Sequence, residues 1–176
     1  MSATPGFAIE GLVLDVDGVL TDASLYYAEA AEVMKVVSAR DGMGMALLRD
    51  AGIPMAVVSG RASPMVTARL QELGVSTIEF RRMDKAAAFG RICADWGVDP
   101  ARVAAMGDDI VDVPMLRRAG FAATPADADR RVREVADHVC AAAGGRGAVR
   151  ELCEIILASR GAWAAIEKRF ELGEGS

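Results

Sequence analysis

The sequence holds one histidine, His138, and three cysteines, Cys93, Cys140 and Cys153, and each scarcity removes a class of chemistry. Any Ser-His-Asp, Cys-His or multi-histidine metal mechanism has to pass through that single ring, so carboxylates become the candidate catalysts. The odd cysteine set has no C-x-x-C spacing and no histidine-rich neighbourhood. It indicates neither a disulfide framework nor a zinc site, and a reducing cytoplasm is the default expectation. No apolar stretch approaches the ~20 residues of a membrane span, and Met1 to Phe7 lacks a charged leader with a long apolar core, so neither insertion nor export is expected. Phosphate neutralisation needs clustered Lys and Arg, and no basic block exists, so no nucleic-acid partner is expected. Arg130, Arg131 and Arg133 read as a solvated helix face.

What remains is 52% hydrophobic and 26% charged, with a formal charge of −5 over 176 residues. A chain of that size buries roughly 70% of its unfolded surface, enough for a core without disulfides or structural metal. No Pro/Ser-rich linker, repeat or low-complexity block divides it, so one domain over 1–176 is expected.

Ile9 to Val16 is a short apolar run that ends in carboxylates and Asp17-Gly18, the pattern of a buried strand with polar groups at its carboxyl end. Runs of strand length recur at Pro54 to Val58, Val75 to Phe80, Arg102 to Met106, Gly120 to Ala123 and His138 to Ala141. Segments of helical periodicity lie between them, at Gly42 to Ala51, Pro64 to Leu73, Lys85 to Trp96, Val113 to Ala119 and Asp127 to Val135. The alternation predicts an α/β fold, a Rossmann-like parallel sheet with helices on both faces and ligands at the carboxyl ends of its strands. Ser24 to Tyr27 and Glu32 to Val37 have no room for a helix between them and predict a projecting β-hairpin at about 24–37. After Gly144 to Gly147, Val149, Leu152, Cys153, Ile156 and Leu157 stripe a helix over Ala148 to Ala158, and a weaker helix follows over Ala162 to Phe170, a helical tail at about 147–172. The terminal Gly173-Glu174-Gly175-Ser176 is expected to be mobile.

Asp15 and Asp17 follow the first strand, and side chains two apart on an extended strand point the same way, so both can approach one ligand. Gly107-Asp108-Asp109-Ile110-Val111-Asp112 follows another strand and adds a second carboxylate cluster at the same sheet edge. Hard oxygen ligands with open positions for water and phosphate describe magnesium rather than zinc. Ser59-Gly60-Arg61 and Lys85 supply a hydroxyl, a backbone amide and an ammonium, the donors that phosphoryl oxygens require. Asp112, just before Val113-Pro114, is either a helix cap or a group supporting the metal. Taken singly, each of these is a turn, a cap or a solvated lysine; their joint order at strand ends makes a phosphoryl-transfer site. His138 lies in a short apolar run and reads as packing.

The four pieces in this order resemble the haloacid dehalogenase superfamily of phosphatases, whose motifs are D-x-D-x-[TV], a Ser/Thr, a Lys and G-D-D-x-x-D. The resemblance implies that Asp15 attacks phosphorus to form an aspartyl phosphate, and that Asp17 protonates the leaving alcohol and then deprotonates water. It implies magnesium on Asp15, the Asp17 carbonyl and Asp108, with Asp109 holding a metal-bound water or orienting Lys85. Ser59 and Lys85 would neutralise the transferring group. Asp15 and Ser59 are 44 positions apart and Lys85 and Asp108 are 23, so neither interval can house an inserted lid domain.

The match narrows to the lidless, tetrameric 3-deoxy-D-manno-octulosonate 8-phosphate phosphatase branch of that superfamily. It is carried by Asp15 to Asp22, Glu32, Lys35, Arg40-Asp41-Gly42, Ser59-Gly60-Arg61, Arg69, Gly107-Asp108-Asp109 with Asp112 and Pro114, and Gly144 to Ala148 with Arg150-Glu151. It implies a cytoplasmic homotetramer assembled through the hairpins, a C-terminal tail reaching toward a neighbour's site, and a phosphorylated sugar acid of lipopolysaccharide precursor synthesis as substrate. Ser38, Ala39, Arg40, Asp41, Gly42, Gly60, Arg61 and Arg69 would bind that substrate together with Asp17 and Lys85. Two departures stand out. Ala46 occupies a position where relatives commonly carry Lys or Arg, with Arg49 one turn on as the candidate replacement. Phe80-Arg81-Arg82-Met83 lacks the usual glycine-containing turn. The alternatives are a nonulosonate 9-phosphate or promiscuous sugar phosphatase, a phospho-signalling receiver module and a non-catalytic oligomerisation domain. The position of Lys85 before Gly107-Asp108-Asp109 argues against a receiver, and retention of both Asp15 and Asp17 argues against loss of activity.

Overall fold

A computed structural model describes residues 5–75 and 77–173 of the chain. Six parallel strands form one sheet: β1 (Gly11–Leu14), β4 (Met55–Ser59), β5 (Thr77–Phe80), β6 (Val103–Met106), β7 (Phe121–Thr124) and β8 (His138–Val139), in the order β5-β4-β1-β6-β7-β8. Both edges of β1 are paired: Leu12 lies opposite Met55 on one side and Ala104 on the other. The chain therefore reverses direction across the sheet beside β1, which opens a crevice at its carboxyl end.

Alternate residues of the central strands feed two cores. Leu12 and Leu14 join Met45 and Leu48 of α1 (Ala39–Asp50), Val66 and Leu70 of α2 (Pro64–Glu72) and Leu152 and Ile156 of α6 (Ala148–Ser159). Val13 faces the other way, into Phe89 and Ile92 of α3 (Lys85–Trp96), Met115 and Leu116 of α4 (Val113–Leu116) and Val132 of α5 (Arg130–Arg133). Burial on both faces is why the strands read as continuous apolar runs rather than alternating ones.

The hairpin predicted between β1 and α1 is present as β2 (Tyr26–Ala28) and β3 (Ala31–Met34), a separate antiparallel pair with its residues largely exposed. Among the described residues nothing else interrupts that interval, and only a 3₁₀ turn, Pro100–Arg102, lies between α3 and β6. Among the described residues no lid domain covers the crevice.

Several boundaries differ from expectation. α1 starts three residues early because Ser38 caps it, its hydroxyl accepting from the Asp41 N–H. α4 and α5 are single turns, shorter than their periodicity predicts. The predicted strand Val75 to Phe80 begins at Thr77, and Ser76 lies outside the described residues, as do Glu174, Gly175 and Ser176 of the predicted mobile end. α7 (Trp163–Arg169) folds back on its own chain: Trp163 Nε1 donates to the Glu154 carbonyl at 3.4 Å and Arg169 Nη1 to Asp50 at 2.6 Å. That holds it at the end of α1 remote from the crevice. A groove of about 420 Å³ between α1 and α7 lies there, away from the carboxylate clusters.

The missing glycine before Lys85 has a visible cost. Arg81 adopts φ 57°, the left-handed region, while the next N–H, of Arg82, donates to the Ser59 carbonyl at 3.0 Å. A side chain in that conformation costs roughly 1–2 kcal/mol, part of which glycine returns as lost chain entropy. Arg81→Gly is therefore expected to stabilise the protein by up to about 1 kcal/mol, a rise of ~2–4 °C in Tm by thermal unfolding.

Candidate active site

The carboxyl ends of β1, β4 and β6 bring Asp15, Asp17, Ser59, Gly60, Arg61, Lys85, Asp108 and Asp109 around one open cleft of about 290 Å³, with Ala23, Met83 and Val111 completing its wall. Asp15 leaves β1 and is buried; its N–H is tied to the Met106 carbonyl across the strand gap. Gly18 makes the next turn possible. Its φ is +86°, and a Cβ there would lie 2.0 Å from an Asp108 carboxylate oxygen, so only glycine lets the two acidic loops meet.

Lys85 is the first residue of α3 and only 3% exposed. Its Nζ lies 2.8 Å from Asp15 Oδ1 and 2.5 Å from Asp112 Oδ1. The group that orients Lys85 beside Asp15 is thus Asp112, not Asp109. Asp109 is exposed and its Oδ1 accepts from Ile110 N, a cap of the 3₁₀ turn that follows. Asp112 does not cap α4 with its side chain. It reaches back instead, Oδ2 accepting from the N–H groups of Asp108 (3.0 Å) and Asp109 (3.2 Å), which fixes the loop that carries Asp108. Thr124 Oγ1 donates to the Gly107 carbonyl at 2.7 Å and fastens the start of the same loop.

Asp17 is half-buried and its carboxylate is held by cations from two elements: Lys35 of the hairpin, in a short contact, and Arg61 Nε at 3.7 Å. Lys35 and Arg61 both also face Glu32, and Arg61 Nη2 donates to Tyr27 Oη at 3.0 Å, so the hairpin is laced to the cleft through charge. The role of Lys35 emerges only from the fold; in sequence its signal is a lone lysine set between Val33-Met34 and Val36-Val37. Ser59 Oγ accepts from Arg61 N at 3.2 Å, and Ser63, not Ser59, caps α2, which leaves the Ser59 hydroxyl facing the cleft.

The remaining residues proposed for substrate are not brought to this cleft within one chain. Ser38 is a cap. Asp41 is buried with both carboxylate oxygens occupied by Gly147 N (3.2 Å) and Arg150 N (2.7 Å), so it caps α6 from across the molecule. Gly42 packs under Arg69, whose guanidinium pairs with Glu72 at 3.0 Å. Ala39 and Arg40 line a shallow surface depression with Met43 and Arg150. Arg49 cannot replace a basic group at Ala46: it pairs with Asp50 and lies against Gly74.

Carboxylate oxygens of Asp15, Asp108 and Asp112 lie within 4.8 Å of one another. Burial, then the charge of Asp112, push Asp15 up to about 6 against the pull of Lys85. Burial, then Asp15, Asp112 and Asp109, push Asp108 up to about 7. Burial draws the Lys85 ammonium down, but Asp15 and Asp112 outweigh it and hold it above its usual range. Three crowded carboxylates against one ammonium leave negative charge uncompensated in a site of oxygen donors only, which fits a hard divalent cation. The linkage follows in sign. Acids raised in the folded state contribute stability that is complete below about pH 4 and lost as pH rises through 6 to 7. In chelator, Tm is expected to fall between about pH 4 and pH 7; saturating magnesium should remove that fall, and Asp108→Asn should flatten it without metal.

A family model for haloacid dehalogenase-like hydrolases matches residues 44–120. The 3-deoxy-D-manno-octulosonate 8-phosphate phosphatase of Haemophilus influenzae is 39% identical over 153 residues, 87% of this chain and 85% of that protein. The same enzyme of Escherichia coli K12 is 36% identical over 150 residues, 85% of this chain and 80% of that protein. Among solved structures, the Moraxella catarrhalis enzyme in complex with magnesium, phosphate and the octulosonate superposes with a TM-score of 0.89 at 35% identity, covering 92% of this chain and 93% of that one. The cobalt-bound H. influenzae enzyme gives 0.84 at 38% identity, covering 87% and 90%.

Proposed function

The chain belongs to the haloacid dehalogenase-like hydrolases, in their 3-deoxy-D-manno-octulosonate 8-phosphate phosphatase branch, and on that premise we propose that it hydrolyses 3-deoxy-D-manno-octulosonate 8-phosphate to the free sugar acid and phosphate. It is a magnesium-dependent phosphomonoesterase. The observation that carries the assignment is the buried Asp15–Lys85–Asp112 chain with Asp108 and Asp17 at one strand edge. Asp15 and Asp108 supply metal ligands, with Asp112 beside them. Magnesium, when bound, withdraws charge from the phosphoryl oxygens and orients them.

Asp15 attacks phosphorus and forms an aspartyl phosphate, while Asp17 gives its proton to the leaving C8 oxygen; Asp17 then takes a proton from the water that hydrolyses the acyl phosphate. Lys85 spreads the charge of the transferring group and keeps Asp15 oriented, and the Ser59 hydroxyl and Gly60 amide face the same oxygens. Without a lid, selectivity falls to the cleft rim, where Arg61 offers a guanidinium to the sugar carboxylate. Ser38 to Gly42 and Arg69 reach substrate only if assembly presents them, since one chain keeps them outside the cleft.

We place the working form in the cytoplasm as a homotetramer of one hydrolase domain per chain. The hairpin supports this: Leu25, Tyr26, Tyr27, Val33, Met34 and Val36 are exposed on a two-stranded unit that is marginal without a partner surface.

The test is kcat/KM for phosphate release with magnesium and with chelator, across octulosonate 8-phosphate, a nonulosonate 9-phosphate and hexose phosphates. A magnesium-dependent preference for the octulosonate of at least about a hundredfold, near 2.7 kcal/mol, is expected. Equal rates on all three would keep the phosphatase and overturn the substrate.

A further inference from the structure

We propose that His138, Cys140 and Glu151 form a second metal site, apart from the carboxylate cleft, that takes a zinc-class divalent ion. The cysteine spacing alone points away from zinc, because the third ligand is a carboxylate that folding delivers from another element. His138 opens β8 and Cys140 follows two residues later, so their side chains share one side of the strand. Glu151 stands in the first turn of α6 and meets them: one ligand atom from each residue lies within 4.8 Å of the other two.

The donor set decides the ion. Imidazole nitrogen, thiolate sulfur and carboxylate oxygen are borderline and soft donors that suit zinc or cobalt, whereas magnesium demands oxygen alone. Zinc bond lengths of 2.0–2.3 Å place tetrahedral ligand atoms roughly 3.3–3.8 Å apart. His138 Nε2 and Glu151 Oε1, now hydrogen-bonded at 2.8 Å, need only open slightly, and the sulfur swings in. The ligands are already held. Glu151 accepts from Ala141 N (3.0 and 3.2 Å) and Ala142 N (3.4 Å), which fixes its carboxylate while leaving on Oε1 the place that His138 occupies. Phe121 stacks on the His138 ring with centroids 6.4 Å apart and planes at 19°.

The charges balance as well. Cys140, whose Sγ donates to the Ala148 carbonyl at 3.6 Å, releases its proton to solvent when the metal–sulfur bond forms, and thiolate plus carboxylate then offset the dication. His138 and Cys140 are 8% and 2% exposed, whereas the Glu151 side chain is 27% exposed; entry and a fourth, water position lie on that side. The ion would brace the loop between β8 and α6, where Gly144 and Gly145 pack directly on the backbone of Gly18 and Thr21.

Cobalt titration of the full chain in excess magnesium tests this. One equivalent of cobalt is expected to raise a thiolate-to-cobalt charge-transfer band in the near ultraviolet, which the oxygen-only cleft cannot produce. Zinc should abolish it by displacement. Cys140→Ser, which keeps the hydroxyl donor to Ala148, should lack the band, and Glu151→Gln should weaken cobalt binding at least about tenfold. No band in the unaltered chain would show a hydrogen-bonded network only and overturn the proposal. A band that persists in Cys140→Ser, or unchanged affinity in Glu151→Gln where Cys140→Ser fails to fold, would overturn it equally.

Discussion

Asp15→Asn is expected to lower kcat by at least about 10⁴-fold, because the amide cannot take up phosphorus. Rapid quench with labelled substrate should trap a phosphoenzyme in the unaltered protein and none in the variant. The loss is chemical rather than structural. Asp15 is a buried charge facing Asp112 as well as Lys85, so the neutral isostere keeps a hydrogen-bond acceptor for Lys85 and relieves repulsion; metal-free Tm should hold or rise. Asp17→Asn separates the two carboxylates, since it should retain magnesium binding while slowing turnover through loss of the acid/base group. A substantial residual rate in Asp15→Asn would exclude the aspartyl-phosphate route.

Lys85→Met is the second large effect, and it acts on folding and chemistry together. Removing the ammonium leaves Asp15, Asp108 and Asp112 crowded with no cation, and an uncompensated buried charge costs about 3–5 kcal/mol. Urea unfolding in chelator should report that loss, equivalent to a fall of roughly 6–20 °C in Tm. Magnesium should restore much of the stability because it neutralises the same oxygens. It should not restore turnover, expected to stay at least about 10²–10³-fold low, since the donor aimed at the phosphoryl group is gone. Equal stability with and without Lys85 in chelator would refute the reading of this cluster as a charge-frustrated metal site.

The acidic loops and Ser59 were legible in the sequence because each stands at the junction of an apolar strand and a turn, and Lys85 because it opens a helix of clear periodicity; sheet topology does the rest. Their partners were less so. Asp112 reads equally as a helix cap or a metal support until the 3₁₀ turn at Ile110–Asp112 folds its carboxylate back onto Lys85 and two amides. Asp41 is the sharper lesson. Its place in Arg40-Asp41-Gly42 suggested substrate binding, yet its carboxylate serves the amino end of a helix 106 residues away, a relation no local pattern encodes. Helix ends slipped for the same kind of reason: Ser38 sets the start of α1 by a single side-chain bond, while the apolar periodicity begins later. Arg81 shows the converse, a missing glycine read from sequence that reappears as a left-handed arginine.

β1 comes first along the chain yet sits in the middle of the sheet, with β4 on one edge and β6 on the other. During synthesis the segment bearing Asp15 and Asp17 therefore leaves the ribosome before both of its neighbours; β4 can cover one edge, but the other stays open until Val103–Met106 has been made. Pairing over such separations is slow, and the open edge is exposed to other nascent chains meanwhile. Chains arrested before Met106 would carry Asp15 and Asp17 on a strand with one open edge and without the loop that bears Asp108, so the cleft is completed only once that strand and loop are made.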